Sequence, residues 1–280
     1  YQVILSDVYG AFGGQPNDTM YPCDNGDCSN WAEFVATVTG TLRDTGMPMS
    51  YDIWNEPDID IFWTRGVNSE QYFQMWDTAV REIRRVDPDA VILGPSFAYT
   101  PERRPGQWQT WLQHTRAADT LPDWIANHTL SVTKKATAAV DAPAEAGKDT
   151  LEALAANGID PLPMSANEYQ PADMQTTNVL AWYLARFAQS DYDNALRGNW
   201  LCCLAPNLTG LLTETGDGWR PTGLWWAMRA DADMTGTLVT TSGQVGGTAI
   251  SAAKDSDAER AVAVIGDING YTGSASVTFD

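Results

Sequence analysis

In two places along this chain an apolar run ends on an asparagine followed by a glutamate. The first is Tyr51-Asp52-Ile53-Trp54-Asn55-Glu56-Pro57, the second Met164-Ser165-Ala166-Asn167-Glu168-Tyr169. Pro57 has no N–H to give a sheet ladder, so pairing should stop near Glu56 and leave Asn55 and Glu56 at a strand's carboxyl end. In α/β folds that end is where ligands are handled. Two carboxylates meeting over one cleft can divide the work of a displacement. One is held protonated and releases a leaving oxygen; the other is ionised and attacks, or activates water. Flanking a glycosidic bond, such a pair is the minimum for hydrolysis. The plainer alternative is that Asn-Glu-Pro is a turn closing a strand.

Positioning the pair requires a repeating frame, and the hydrophobic periodicity supplies one. Tyr1 to Val8 reads as a buried strand running into a Gly-rich loop. Asn30 caps a helix over Trp31 to Leu42, and the first Asn-Glu strand follows. Ser69 opens a helix through Val86, stopped by Asp87-Pro88-Asp89, and Ala90 to Gly94 is a short buried strand. Helices are expected over Gln107–Ala117, Glu145–Ala156, Thr176–Gln189 and Thr222–Ala230. Strands are expected at Trp124–His128, Leu162–Asn167 and Leu196–Leu204. From Thr237 onward the pattern changes to short alternating strands with Gly and Asn turns.

That makes six β/α repeats between Tyr1 and about Ala232. Six strands would build an open doubly wound sheet; a (β/α)₈ barrel needs two more. Because the chain starts at Tyr1, the reading adopted is an α/β fold, a (β/α)₈ TIM barrel over 1–232 whose first two β/α units lie outside the chain. Residues 233–280 are expected to form part of an antiparallel β-sandwich. Three repeats separate Glu56 from Glu168, and barrel strands three apart face each other across the mouth.

Composition narrows the partner. The 280 residues are 44% hydrophobic and 19% charged, ordinary for a folded protein. A net charge of −19 argues against nucleic acid and anionic membranes, which present phosphates. No apolar run approaches the ~20 residues of a membrane span. A neutral carbohydrate fits: 12 Trp and 10 Tyr offer flat faces to sugar C–H surfaces, although core filling accounts for most of them. No GxSxG elbow and no zinc-spaced His or Cys pair occurs, and the acidic Asp24–Asp27 loop falls short of an EF-hand. No metal or cofactor is therefore expected. Cys23 and Cys28 bracket a small loop and should form a disulfide, while Cys202 and Cys203 are either a vicinal bridge or two thiols. Sequons at Asn17, Asn127 and Asn207 point to a secreted glycoprotein.

The stretch Tyr51–Asp58, followed by Phe62-Trp63 and the Tyr72-Phe73 helix, resembles the acid/base strand of clan A glycoside hydrolases. Within that clan it is most similar to family 39, the family of β-xylosidases and α-L-iduronidases. Val91-Ile92-Leu93-Gly94-Pro95 matches that family's Gly-Pro-terminated strand. Gly210–Thr213 with Arg220–Trp226 resembles its closing loop and last barrel helix, after which a β-sandwich follows. The resemblance implies a retaining hydrolase of O-glycosidic bonds in a neutral oligo- or polysaccharide. Glu56 would be the acid/base, Glu168 the nucleophile, and Asn55 would bond the sugar 2-hydroxyl. His128, Trp63, Tyr169 and Trp200 are candidates for contact with substrate, and Asp7 and Tyr9 end the first strand within reach of the same mouth. Three features depart from the family, one being that its first two strands, with any substrate residues they carry, lie outside the chain. Its nucleophile strand usually reads Thr-Glu-aromatic-Asn, whereas this chain has Asn167-Glu168-Tyr169-Gln170, and His128 sits inside a sequon. The rival reading is a non-catalytic carbohydrate-binding protein on the same barrel.

Overall fold

The computed structural model describes residues 1–6, 20–130, 142–198, 207–242 and 246–270, with 273, 274, 276 and 278. The chain divides into two compact units, Tyr1–His128 with Asp149–Asn167, and Thr129–Lys148 with Glu168–Asp280. The division thus passes through one helix and two strands.

The first unit alternates strand and helix as the periodicity requires. Its elements are β1 (Gln2–Leu5), α1 (Ser29–Arg43), β2 (Ser50–Ile53), α2 (Glu70–Val86), β3 (Val91–Phe97), α3 (Pro105–Ala117) and β4 (Trp124–Thr129). They are followed by α4 (Ala142–Ala156) and β5 (Met164–Tyr169), which the division also crosses, as it does β4 between His128 and Thr129. Strands lie in chain order, and β1 through β4 pair in parallel. Parallel neighbours joined by crossover helices fit a partial (β/α) barrel.

Local chemistry sets the boundaries. Ser69 accepts the Tyr72 N–H at 3.2 Å to start α2, which buries Tyr72, Met75, Trp76, Ala79, Val80 and Ile83 along one stripe. Helix α1 begins before the expected Asn30 cap. Asp27 accepts the Ser29 N–H at 2.9 Å, and the Cys23–Cys28 disulfide fixes the chain just ahead of it. β3 continues three residues past Gly94, through a cis Gly94-Pro95 bond. Pro95 is accommodated because the register with β4 shifts between Pro95 and Phe97. Gly94 has no alternative, since a Cβ there would overlap the Trp76 ring.

The second unit is built around α5 (Thr177–Phe187). Leu180, Trp182 and Tyr183 of α5 are fully buried and pack with Tyr169, Leu224 and Ala249. β6 (Asn194–Arg197) is shorter than the expected strand, whose remainder, with Trp200, lies outside the described residues; so do Asp7, Tyr9, Asn17, Cys202 and Cys203. A hairpin of β7 (Leu212–Thr215) and β8 (Gly218–Pro221) precedes α6 (Gly223–Ala232). Trp226 on α6 meets Trp225 edge-on and remains 59% exposed. The alternating tail forms a three-stranded antiparallel sheet, β9 (Thr237–Val239), β10 (Thr248–Asp255) and β11 (Arg260–Asp267), in the order β11-β10-β9. This sheet lies on α5 so closely that a Cβ at Gly266 would overlap backbone atoms of Ala181 and Trp182. Asn178 of α5 also donates to the Asp267 carbonyl at 2.9 Å.

Backbone against backbone leaves a new methyl nowhere to go. Gly266→Ala should cost about 1–3 kcal/mol by overpacking, read as a lower urea midpoint; an unchanged midpoint would refute the close approach.

Candidate active site

β2 ends at Ile53, but the next residues stay tied to their neighbours. Trp54 donates its N–H to the Leu5 carbonyl at 3.1 Å, and Glu56 donates its own to the Ser96 carbonyl at 3.1 Å. Trp54 has φ 69° and Glu56 φ 41°, and Ser96 at the facing end of β3 has φ 52°. Left-handed backbone at non-glycine residues costs on the order of 1–3 kcal/mol each, and persists where surroundings over-determine it. Here the surroundings are aromatic. The Trp54 indole donates to the Phe62 carbonyl at 3.1 Å, and its ring lies 5.2 Å from Trp63 and 6.0 Å from both Tyr21 and Trp31.

The strained turn places Glu56 in a buried position, 5% exposed, with Oε1 2.6 Å from Nδ1 of His128. His128 is fully buried near the end of β4. One proton bridges this pair: the imidazole donates it to the carboxylate, or the carboxylic acid donates it to the ring nitrogen. His128, a candidate for contact with substrate, is bonded to Glu56 through Nδ1. Beside them Asn55 is 6% exposed, and its Oδ1 is buried with no protein partner among the described residues. A buried acceptor without a partner is costly to leave so.

Behind the pair runs a polar ring. Asp52, fully buried on β2, accepts from Ser96 Oγ at 2.6 Å and from Asn167 Nδ2 at 2.5 Å, while Asn167 Nδ2 also donates to Ser96 Oγ at 2.9 Å. Two residues beyond Glu56, Asp58 accepts the N–H groups of Ala98 and Tyr99 at 2.8 and 3.1 Å. Burial still pushes the Asp58 carboxyl above its usual range, outweighing those bonds.

In the second unit Glu168 is half-buried, and the residues after it are firmly held. The Tyr169 carbonyl accepts the Gly198 N–H at 2.9 Å, and its ring lies 5.3 Å from Tyr183 and 5.0 Å from Phe187. Gln170 accepts from Arg197 Nε at 2.6 Å and donates to the carbonyls of Met174 and Thr176. Tyr169 and Trp63 are each 1% exposed, so both rings, expected to line a cleft, are enclosed in the packing of their own unit. Sequence reasoning missed Asp52, Ser96 and Asp58. The one signal it held was Asn167, standing where the family usually has threonine. The sequon at Asn127 is closed to glycosylation in the folded chain, because that side chain is 1% exposed and its Nδ2 donates to Thr150.

The loop before α1 braces this end of the unit. Asp24 accepts from Arg65 Nε at 3.0 Å, Gln71 at 2.8 Å and the Tyr21 N–H at 3.0 Å.

Comparison with known proteins gives the family and the fold. The model for glycosyl hydrolases family 39 matches residues 28–180. A β-xylosidase of Geobacillus stearothermophilus is 29% identical over 108 residues, which are 36% of this chain and 20% of that protein. A solved structure from Neocallimastix frontalis superposes with a TM-score of 0.67 at 24% identity, covering 82% of this chain and 55% of that one. A family 39 β-xylosidase from Caulobacter crescentus gives 0.56 at 20% identity, covering 81% and 52%. At these identities the structural likeness speaks for the fold. The chain spans about half the length of both structures.

Removing the Ser96 hydroxyl by Ser96→Ala deprives Asp52 of a donor and Asn167 of an acceptor, and should cost about 1–3 kcal/mol in denaturant unfolding. A loss under about 0.5 kcal/mol, within the scatter of surface changes, would show that the ring carries no load. The hydrogen bond from Arg65 holds the Asp24 carboxyl below its usual value of 3.8, with burial opposing and the Gln71 and Tyr21 bonds assisting. A folded value below the unfolded one stabilises fully above about pH 4, and is lost as pH falls through the folded value. Asp24→Asn should remove that acid-side dependence, so its unfolding free energy changes less than the parent's between pH 5 and pH 2; parallel profiles would contradict the assignment.

Proposed function

The chain belongs to glycosyl hydrolases family 39, and from that premise we propose that the protein is a retaining glycosidase of β-xylosidase type, with Glu56 as acid/base and Glu168 as nucleophile. Ser96 carries the assignment. Its carbonyl accepts the Glu56 N–H and its hydroxyl accepts from Asn167, the residue before Glu168, so both Asn-Glu segments are tied to one residue of β3.

The reaction runs in two displacements. The Glu168 carboxylate attacks the anomeric carbon as the glycosidic C–O bond breaks, and protonated Glu56 gives its proton to the departing oxygen. Water then attacks the anomeric carbon of the glycosyl ester, Glu56 takes a proton from it, and the Glu168 carboxylate leaves. Glu56 must therefore lose and regain a proton in each turnover, and His128 is bonded to its Oε1. The Asn55 amide, with a buried and open oxygen, is available to a sugar hydroxyl. A net charge of −19 suits a neutral glycan. The β-xylosidase relative at 29% identity favours a xyloside as substrate. The Cys23–Cys28 disulfide favours an extracytoplasmic site of action.

With 4-nitrophenyl β-D-xylopyranoside and the full-length protein, NMR should find β-xylose as the first-formed product. Glu56→Gln and Glu168→Gln should each lower kcat by about 10²–10⁴-fold or more, the Glu56 loss shrinking when the leaving group is a more acidic phenol. An inverted product, or two variants as active as the parent, would overturn the mechanism. Sugar binding by the parent without turnover of any aryl glycoside would favour the binding protein.

A further inference from the structure

We propose that Asn167 is a positioning residue for Glu168, fixing the nucleophile's place on β5 through its bonds to Asp52 and Ser96; this rests on the reading of Glu168 given above. Asn167 Nδ2 has two hydrogens, and both are used, one on Asp52 Oδ2 and one on Ser96 Oγ. Ser96 in turn donates to Asp52 Oδ1, which closes the ring. Asp52 and Ser96 are fully buried and Asn167 is 8% exposed, so water does not compete for these bonds. The amide has one permissible orientation, because turning it would set its oxygen against a carboxylate. Its Cα is thereby tied to β2 and β3, one peptide bond from the residue that must attack.

A merely structural role fits poorly. Asn167 Oδ1 is buried without a protein partner among the described residues. A packing residue at this position would be apolar and would strand no polar atom. The chain instead tolerates an open acceptor in order to keep two directed N–H bonds. Such local costs are retained where geometry matters to chemistry.

The test uses the full-length protein and 4-nitrophenyl β-D-xylopyranoside. Misplacement by about 1 Å costs on the order of 10²-fold, so Asn167→Ala should lower kcat by about that factor while KM moves less than about threefold. Asn167→Asp opposes two carboxylates that must share one proton. Their second ionisation pushes the strand end away as pH rises, so the basic limb of the kcat profile should move to lower pH. Combining Asn167→Asp with Asp52→Asn exchanges amide for acid and restores the bond in reverse; kcat should return to within about tenfold of the parent with a normal basic limb. Asn167→Ala with parental kcat overturns the proposal. Should that variant fail to fold, the exchange decides alone: recovery relative to Asn167→Asp supports positioning, and no recovery overturns it. Glu168→Gln, run alongside, separates the two claims, since its full activity would remove the nucleophile assignment itself.

Discussion

A carboxylate with no access to water must find its donors inside the protein, and Asp52 imposes that demand on the first unit. Burying such a charge without donors is too costly for a folded domain to bear. Its donors come from residues 44 and 115 positions away, Ser96 and Asn167. Apolar contacts between parallel strands tolerate small slips; directed bonds at 2.5–2.9 Å do not. The carboxyl ends of β2, β3 and β5 are therefore aligned by polar geometry, while the rest of the sheet is aligned by packing.

That alignment explains the backbone around it. Ser96 must present its carbonyl to the Glu56 N–H and its hydroxyl to Asp52, and it does both with φ 52° just after a cis proline bond. Trp54 and Glu56 take up positive φ on the other side of the same contact. The remaining positive-φ residues of this unit other than glycine, Cys23, Asn25, Asn68 and Asp119, lie in turns, where they are common. At the strand ends the strain needs a stiff frame. The Trp54 ring, surrounded by Trp31, Trp63 and Tyr21, supplies it, with the Asp24–Arg65 pair and the Cys23–Cys28 bridge behind.

Some of this was legible in the sequence and some was not, for physical reasons. The alternation of buried strand and amphipathic helix is a local property, and it gave α2, with its Ser69 cap, to the residue. The doubled Asn-Glu was legible too, because a strand stopping at proline is written in adjacent letters. Whether a tryptophan faces a sugar or a core is not local. Trp63 looked like cleft lining, yet its indole donates to the Gly66 carbonyl and its ring is closed in by Tyr72 and Tyr21. The start of α1 moved because a disulfide and Asp27 overrode the Asn30 cap, a constraint that pairs two cysteines and so escapes any window of propensity. Ser96 follows a Gly-Pro that reads as a strand end. Only the register of β4 reveals that the strand continues.

The departures from ordinary folding rules are not spread evenly over the first unit. The amino end of β2 is unremarkable: Ser50 pairs with Gln2 and Val91, and Tyr51 bonds the Thr39 carbonyl. The carboxyl end carries a fully buried acid, two strained residues, an open amide oxygen and a carboxyl–imidazole pair within a few positions of one another. Such groups are costly to bury or to strain. A fold selected for stability alone would replace Asp52, Asn55, Glu56 and Asn167 with apolar residues of similar size. They stand together at the strand ends, where α/β folds gather their chemistry and where departures from the rules of stability are kept for function.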